Sequence, residues 1–248
     1  TGVSGLVITN GGAANSTALM QSADADVIQM NKTPASVTLN NYGTITSLNA
    51  SEGGAQAVDF TAILSGGNTI NNYSTGLIQA RDADAVRPGA NGLVYNDGTI
   101  KSTVTTDAGS DGIDAQNNSG VGIVNAASDN ASGANLIEGA RHGITGGAVD
   151  DATVFTMSIS NRSYGTIRGN NGAGVNIDGF NANETVTLVN NGLITGNGGT
   201  GDGDGVDVDG LANITNTGII RSLNSFSSAA PAQSEGVTIG GGTIINSG

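Results

Sequence analysis

The feature that most constrains the fold is a repeat of up to 31 residues that runs through the sequence. Each repeat contains a short segment that begins with Val or Ile, and consecutive segments lie 27 to 31 residues apart, with four successive intervals of 31. A fixed period of this length is typical of solenoids and propellers, in which each repeat packs on the next. The first residues of these segments are Ile28, Val58, Val86, Ile113, Ile144, Val175, Val206 and Val237.

Two further short segments follow in each repeat. The second ends in an apolar residue followed by Asn, as in Val189-Asn190, and the third is an apolar pair such as Leu193-Ile194. Clusters of Gly, Asn, Asp and Ser separate the segments, and no stretch keeps a helical apolar period for three turns. Short alternating runs between such clusters predict β-strands joined by turns. Each repeat therefore predicts three short strands.

Two architectures could use such a repeat. Propeller blades need about 40–50 residues, four antiparallel strands and aromatic signatures, but aromatic residues make up only 3% of this chain. The repeat length instead favours an all-β fold, a single-stranded right-handed parallel β-helix (β-solenoid) with about eight coils of 27–31 residues. The right-handed sense follows from the general preference of parallel crossovers. We expect residues 1–248 to form a single solenoid segment, within a longer chain or a head-to-tail assembly, because both ends lie at one phase of the repeat.

The register predicts columns of stacked side chains. One column contains the Val and Ile residues that begin the first segments, and a second contains Ile45, Ile78, Ile100, Ile137, Ile167, Ile194 and Ile220. β-branched residues suit such stacked strands. A third column would be an Asn ladder, in which amides bond along the axis and the backbone adopts left-handed angles. Its predicted members are Asn10, Asn71, Asn96, Asn125, Asn161, Asn190, Asn216 and Asn246.

Composition excludes several classes of function. The chain has no Cys and one His, which excludes disulfide frameworks, thiolate zinc sites and His-rich metal sites. A net charge of −13 argues against nucleic acid or an anionic membrane surface as partner. No apolar run approaches the roughly 18 residues of a spanning helix, so we expect no direct membrane insertion.

The strongest candidate for metal binding is the sequence GTGDGDGVDVDG at residues 199–210. Alternating Gly and Asp resembles calcium-binding rolls, in which carboxylates and turn carbonyls supply the ligands. Strand alternation points Asp207 and Asp209 outward and places Asp178 on Asp209, about 5 Å apart. The same residues are also typical of a solvated acidic turn, so the calcium site and the solvated turn both stay open as interpretations. The candidate calcium ligands are Asp178, Asp202, Asp204, Asp207 and Asp209.

Enzymatic chemistry has weak support. Glycosidases need two carboxylates about 5–9.5 Å apart, which Asp178, Asp207 and Asp209 could supply. No Arg or Lys lies near them in the sequence to bind an acidic sugar. His142 is predicted to be a solvated turn residue and not a catalytic one. We therefore predict no enzyme, no catalytic residues and no cofactor other than the candidate calcium. A carbohydrate-active β-helix enzyme is the alternative from a different class.

The repeat is recognisable in LVNNGLITG (residues 188–196), preceded by GVNI (residues 174–177). This pattern resembles the passenger regions of Gram-negative autotransporters and related repeat-rich bacterial surface proteins. The resemblance implies an extracellular, cell-surface β-helix that acts as an adhesin or scaffold. A polymerising surface-layer or filament subunit is the alternative within that class.

Loops on a rigid rod are the usual binding surface. The longer predicted connections are residues 102–111, 126–135, 148–155 and 223–235. The expected partners are other copies or flanking segments of the same surface protein, together with a host-surface protein or glycan.

Overall fold

The computed structural model describes residues 5–31, 36–51, 53–103, 109–179, 182–200, 202–225 and 233–248. These residues form strands and no helix. The strands are β1 (Leu6–Asn10), β2 (Leu19–Ser22), β3 (Ile28–Gln29), β4 (Val37–Asn41), β5 (Thr44–Ser47), β6 (Val58–Asp59), β7 (Thr69–Asn72), β8 (Leu77–Arg81), β9 (Val86–Arg87), β10 (Leu93–Asn96), β11 (Thr99–Thr103), β12 (Ile113–Asp114), β13 (Val121–Asn125), β14 (Leu136–Gly139), β15 (Ile144–Gly147), β16 (Phe155–Asn161), β17 (Thr166–Gly169), β18 (Val175–Asp178), β19 (Glu184–Asn190), β20 (Leu193–Gly196), β21 (Val206–Asn216), β22 (Ile219–Ser222) and β23 (Val237–Asn246).

The strands stack in three rows, and each strand pairs in parallel with the equivalent strand of the next coil. Row 1 contains β3, β6, β9, β12, β15 and β18. Row 2 contains β1, β4, β7, β10, β13, β16 and β19. The long strands β21 and β23 extend through both rows. Row 3 contains β2, β5, β8, β11, β14, β17, β20 and β22. The predicted parallel β-solenoid with three strands per coil is confirmed, with about 7 turns.

The two predicted apolar columns are confirmed by the register. In row 1, Ile113 pairs with Val86 and Ile144, and in row 3, Ile137 pairs with Ile100 and Ile167. All six side chains are fully buried. β-branched side chains fit this arrangement because each one packs on a similar residue in the coils before and after it.

Aromatic side chains also fill part of the core, which the low aromatic content did not predict. Phe60 and Phe155 are the two largest fully buried side chains of the described residues. Small residues beside Phe155 make room for its ring. Gly146 has a positive φ of 154°, and a Cβ there would lie 2.9 Å from Cβ of Ala115 and 3.3 Å from Cζ of Phe155.

The predicted Asn ladder is present at the end of row 2. Nδ2 of Asn161 donates to Oδ1 of Asn190 at 2.8 Å, and Asn190 donates in the same way to Asn216 at 2.7 Å. Each amide also donates to backbone carbonyls, so buried polar groups are satisfied along the axis. The members are Asn10, Asn41, Asn72, Asn96, Asn125, Asn161, Asn190, Asn216 and Asn246.

Two details of the ladder prediction are wrong. Asn72 occupies the position predicted for Asn71, whose side chain instead points outward and donates to Asn40 at 3.0 Å. The backbone reason is also wrong, because no ladder Asn has a positive φ among the described residues. The amide ladder alone therefore explains why Asn recurs here.

The longer connections fall close to the predicted positions. Residues 126–135 join β13 to β14, and residues 148–154 join β15 to β16, whereas Ser102 and Phe155 belong to strands. The connection 223–235 follows β22, and its residues 226–232 lie outside the described part of the chain, as do residues 104–108 of the connection after β11. The described segments include no helix long and apolar enough to cross a lipid bilayer.

Candidate functional site

Acidic side chains gather where the chain turns from row 3 into row 1. The position two residues before each Val or Ile of the row 1 column is defined here as the capping position. At Asp26, Asp84, Asp111, His142 and Asp204 the side chain accepts the backbone N–H of the equivalent residue in the next coil, for example that of Asp111 on Asp84 at 2.9 Å and that of Glu235 on Asp204 at 2.6 Å. These side chains therefore link successive coils. The capping residues are Asp26, Gln56, Asp84, Asp111, His142, Ala173, Asp204 and Glu235.

Two capping residues, Asp84 and Asp111, form a buried cluster with Asp114 of β12, and this cluster has its own counter-charges. Candidate ligand oxygens of Asp84, Asp111 and Asp114 lie within 4.8 Å of one another. Arg87 contacts Asp84 at 2.7 Å, and Arg141 contacts Asp111 at 2.8 Å. Burial raises the pKa of Asp111 to about 7, although Arg141 acts in the opposite direction. Because two guanidinium groups already offset most of the charge of these three carboxylates, the cluster has less need of a metal ion.

A second acidic cluster lies in the last coils and contains two predicted calcium ligands. Carboxylate oxygens of Asp202, Asp204 and Glu235 lie within 4.8 Å of one another. None of the three forms an ion pair with Arg or Lys within the described residues. Burial and the nearby Asp204 raise the pKa of Asp202 to about 6. Carboxylate oxygens are ligands that calcium accepts, so these three residues could hold a cation.

The other predicted ligands lie further along the same surface. Asp207 is half-buried, and burial together with Asp204 and Asp209 raises its pKa to about 7. Asp178 and Asp209 are exposed on β18 and β21, and Asp209 accepts the backbone N–H of Gly179 at 3.3 Å. The predicted outward direction of Asp207 and Asp209 agrees with the burial pattern. The structure thus groups Asp202 and Asp204 with Glu235, and leaves Asp178 and Asp209 outside that group.

Glu184 is a carboxylate that the sequence analysis missed. It opens β19, is fully buried, and points inward beside the corner between rows 1 and 2. Its carboxylate accepts backbone N–H groups from Ala148 at 3.3 Å and from Gly210 at 3.1 Å, which belong to the coils before and after it. Burial raises its pKa to about 7. Glu184 therefore connects three coils. The sequence feature that indicates its burial is its inward-facing position in a strand with alternating apolar residues.

His142 has a structural role that differs from the predicted solvated turn. It does lie between β14 and β15, but it is half-buried, and its Nδ1 accepts the backbone N–H of Ala173 at 2.9 Å. Burial, followed by the charge of Arg141, lowers its pKa to about 3. The imidazole is therefore neutral at pH 7 and occupies the same capping position as the aspartates.

A shallow groove of about 370 Å³ lies beside the central cluster. Its lining includes the carboxylates of Asp114 and Asp178, the guanidinium of Arg141 and the amide of Gln116. Gly147 forms part of its floor, where a Cβ would overlap the carbonyl oxygen of Asp178. The groove offers mixed polar groups that could hydrogen-bond a small polar ligand.

Comparisons with known proteins add no family assignment. No protein-family model, curated protein or solved structure matches the chain. The function is therefore argued from the fold and the surface.

Proposed function

We propose that this chain is a rigid extracellular rod of a bacterial surface protein, which displays loops for adhesion or assembly. The observation that carries the proposal is the uninterrupted Asn ladder, which joins the nine strands of row 2 from Asn10 to Asn246 by side-chain hydrogen bonds of 2.7 to 3.0 Å. A rod with this internal bonding keeps its surface loops at fixed spacing. The resemblance of its repeat to autotransporter passengers supports the cell-surface location.

The connection 126–135 is the best candidate for display. It leaves the rod between β13 and β14, and its residues 128–132 are exposed. Asp97 holds one end, since its carboxylate accepts the N–H of Ser128 at 2.7 Å. A loop anchored in this way presents its tip in a defined orientation, which favours binding.

Surface location is tested on intact cells that make the native gene product. Antibodies against this chain should label intact cells, and external protease should remove the label. Labelling that requires permeabilised cells would overturn the extracellular assignment.

Adhesion is tested with beads that carry the purified chain. Replacing residues 126–135 by the four-residue connection 73–76 keeps the ladder, because Gly76 O accepts the amide of Asn72 as Asn135 O accepts that of Asn125. We expect such beads to attach fewer host cells or glycan-coated surfaces than wild-type beads. A shortened 148–154 connection is the control, and equal attachment of all three would contradict display by residues 126–135.

A polymerising surface-layer or filament subunit is the second candidate. The observation that favours it is the exposure of an inward-facing apolar residue on the terminal strand β23, where Ile244 is 47% exposed although its register partner Ile214 is 1% exposed. A flanking segment or another copy that continued the rows would cover this strand. Electron microscopy distinguishes the two, because filaments lengthen with concentration and single rods do not.

The proposal also assigns no enzymatic activity. Release of reducing sugars or unsaturated products from polysaccharides, lost in Asp178→Asn or Asp209→Asn, would instead support the carbohydrate-active alternative.

A further inference from the structure

The outer face of row 2 carries no charged side chain in any of the described strands. Strand alternation places two lines of residues on this face, and the parallel register aligns them across nine strands. One line contains Val7, Thr38, Thr69, Leu93, Gly122, Ser158, Thr187, Asn213 and Thr243. The other contains Thr9, Asn40, Asn71, Tyr95, Val124, Ser160, Val189, Thr215 and Ile245.

The other two rows differ from this face. Row 1 presents acidic groups such as Asp178 and Asp207, and row 3 presents both signs, including Lys101, Glu138 and Arg168. The whole chain has a net charge of −13. Two copies therefore repel each other in general, and the outer face of row 2 is the one row surface where they meet without opposing like charges.

The centre of the face is apolar, and uncharged polar side chains, mainly Thr, Asn and Ser, flank it, with Val7 and Ile245 exposed on the two terminal strands. Leu93, Tyr95 and Val189 are 40%, 37% and 39% exposed, on the strands next to or near β13. Gly122 leaves a gap in β13, over which Leu93 leans, since a Cβ on Gly122 would lie 2.8 Å from Cδ2 of Leu93. The result is a recess of about 310 Å³ that also includes Ser158 and Ser160.

From this arrangement we infer that two copies of the chain pair side by side through the outer faces of row 2. A two-fold axis that lies between the two faces and runs parallel to β13 makes the contact self-complementary. It places β10 of each copy over β16 of the other, so that the Tyr95 ring lies over the small side chains of Ser158 and Ser160. An apolar centre with an uncharged polar border is the usual organisation of a specific interface.

The available area is sufficient for this contact. Nine strands spaced about 4.8 Å apart extend over about 38 Å, and the two outward lines cover roughly 15 Å across the strands. Each copy then buries roughly 550 Å², which gives about 1,100 Å² in total, at the lower limit for a specific interface. The dimer should therefore be concentration-dependent. It goes beyond the proposed rod, because it joins rods laterally rather than end to end.

Sedimentation equilibrium of the purified chain tests the pairing. We expect a monomer–dimer equilibrium that strengthens between about 0.05 and 0.5 M salt, because salt screens the repulsion of the acidic surfaces. Val124→Glu opposes two carboxylates at the two-fold axis and should weaken association at least about tenfold. Val149→Glu is the matched control, since Val149 is 56% exposed and lies outside row 2, and it should associate as wild type does.

Cross-linking provides an independent measurement, because the chain contains no Cys. Val124→Cys should form an intermolecular disulfide under mild oxidation, and Val149→Cys should form far less. Unchanged circular dichroism and urea midpoints establish that the variants fold. A monomer up to about 1 mM, association that persists in Val124→Glu, or equal cross-linking of both Cys variants would overturn the pairing. Species that grow beyond the dimer in Val124→Glu would indicate end-to-end stacking instead.

Discussion

Asn161 and Asn190 lie 29 residues apart in sequence and share a buried hydrogen bond of 2.8 Å between Nδ2 and Oδ1. Asn190 in turn donates to Asn216 and to the carbonyl of Ile219. One amide thus satisfies polar groups of three coils. Removal of an internal member takes a hydrogen-bond partner from the amides on both sides, so each internal member contributes to the stability of the rod.

Asn190→Leu should lower the free energy of unfolding by about 2 kcal/mol, because it leaves the buried Oδ1 of Asn216 without its donor and removes one acceptor of the Asn161 amide. Urea unfolding followed by circular dichroism measures the change. Asn191→Leu is the control, since the neighbouring Asn191 is exposed, and it should change the midpoint little. Equal midpoints for wild type and Asn190→Leu would exclude a stabilising ladder.

The adjacent pair Asn71-Asn72 tests the register directly. Asn72 is 1% exposed and bonds to Asn41 and Asn96, whereas Asn71 is half-buried and bonds to Asn40. Asn72→Leu should therefore cost about 2 kcal/mol or more, and Asn71→Leu well under 1 kcal/mol. Thermal unfolding measures the loss of stability in each variant. A larger loss in Asn71→Leu than in Asn72→Leu would contradict the register that places Asn72 in the ladder.

These residues also show how far the sequence determines the fold. The period of up to 31 residues predicted the rows and the apolar columns, because stacked coils need equivalent residues at equal spacing. It could not choose between Asn71 and Asn72, since a shift of one residue turns a strand side chain to the opposite face. The choice depends on the neighbouring coils, where Asn41 and Asn96 set the phase.

The capping position was missed for a different reason. Its occupants differ chemically, from Asp84 to His142 to Ala173, so no residue type marks it. The polar occupants Asp84, Asp111 and His142 share a hydrogen bond from the backbone of the next coil, which only the structure reveals. The acidic residues at this position therefore look like candidate ligands in the sequence, although Asp84 and Asp111 act first as links between coils.

Gly146→Ala should destabilise the rod by about 1–3 kcal/mol, because the new Cβ crowds Ala115 and Phe155 and the backbone has a positive φ. Phe155→Leu in the same chain should relieve part of this cost, so the two changes together cost less than their sum. Gly67→Ala is the control, since a Cβ there meets nothing within 4 Å. Additive losses in a double-mutant cycle would show that the ring does not occupy this space.

The stability of the rod should fall as the pH rises from about 4 to 7. The folded state raises the pKa of Asp207, Glu184 and Asp111 to about 7, so it binds these protons more tightly than the unfolded chain does. The stabilisation is complete below the unfolded pKa values near 4 and is lost as the pH passes through 7. His142, whose pKa is lowered to about 3, opposes this trend below pH 6.5 with a single proton.

Urea midpoints between pH 4 and 8 measure this dependence. Asp207→Asn should flatten the profile, because it removes one group with a raised pKa. Asp150→Asn is the control at a fully exposed carboxylate whose pKa is lowered by hydrogen bonds to Thr153 and Ala152. A midpoint that increases towards pH 8 would contradict the burial of these carboxylates.

Calcium is the other species that could neutralise the cluster of Asp202, Asp204 and Glu235. Under the calcium hypothesis, millimolar calcium raises the unfolding temperature at pH 8 and raises it less at pH 5, where protons compete for the same oxygens. Calorimetric titration measures the binding, with magnesium as a comparison. Asp202→Asn should abolish the heat, because Asp202 is exposed and carries a ligand oxygen. Asp84→Asn should preserve it, since Asp84 lies in the other cluster, where Arg87 and Arg141 offset most of the charge. No heat in the wild type, or equal heat in Asp202→Asn, would exclude the calcium hypothesis. Protons would then be the species that neutralise the carboxylates of this cluster.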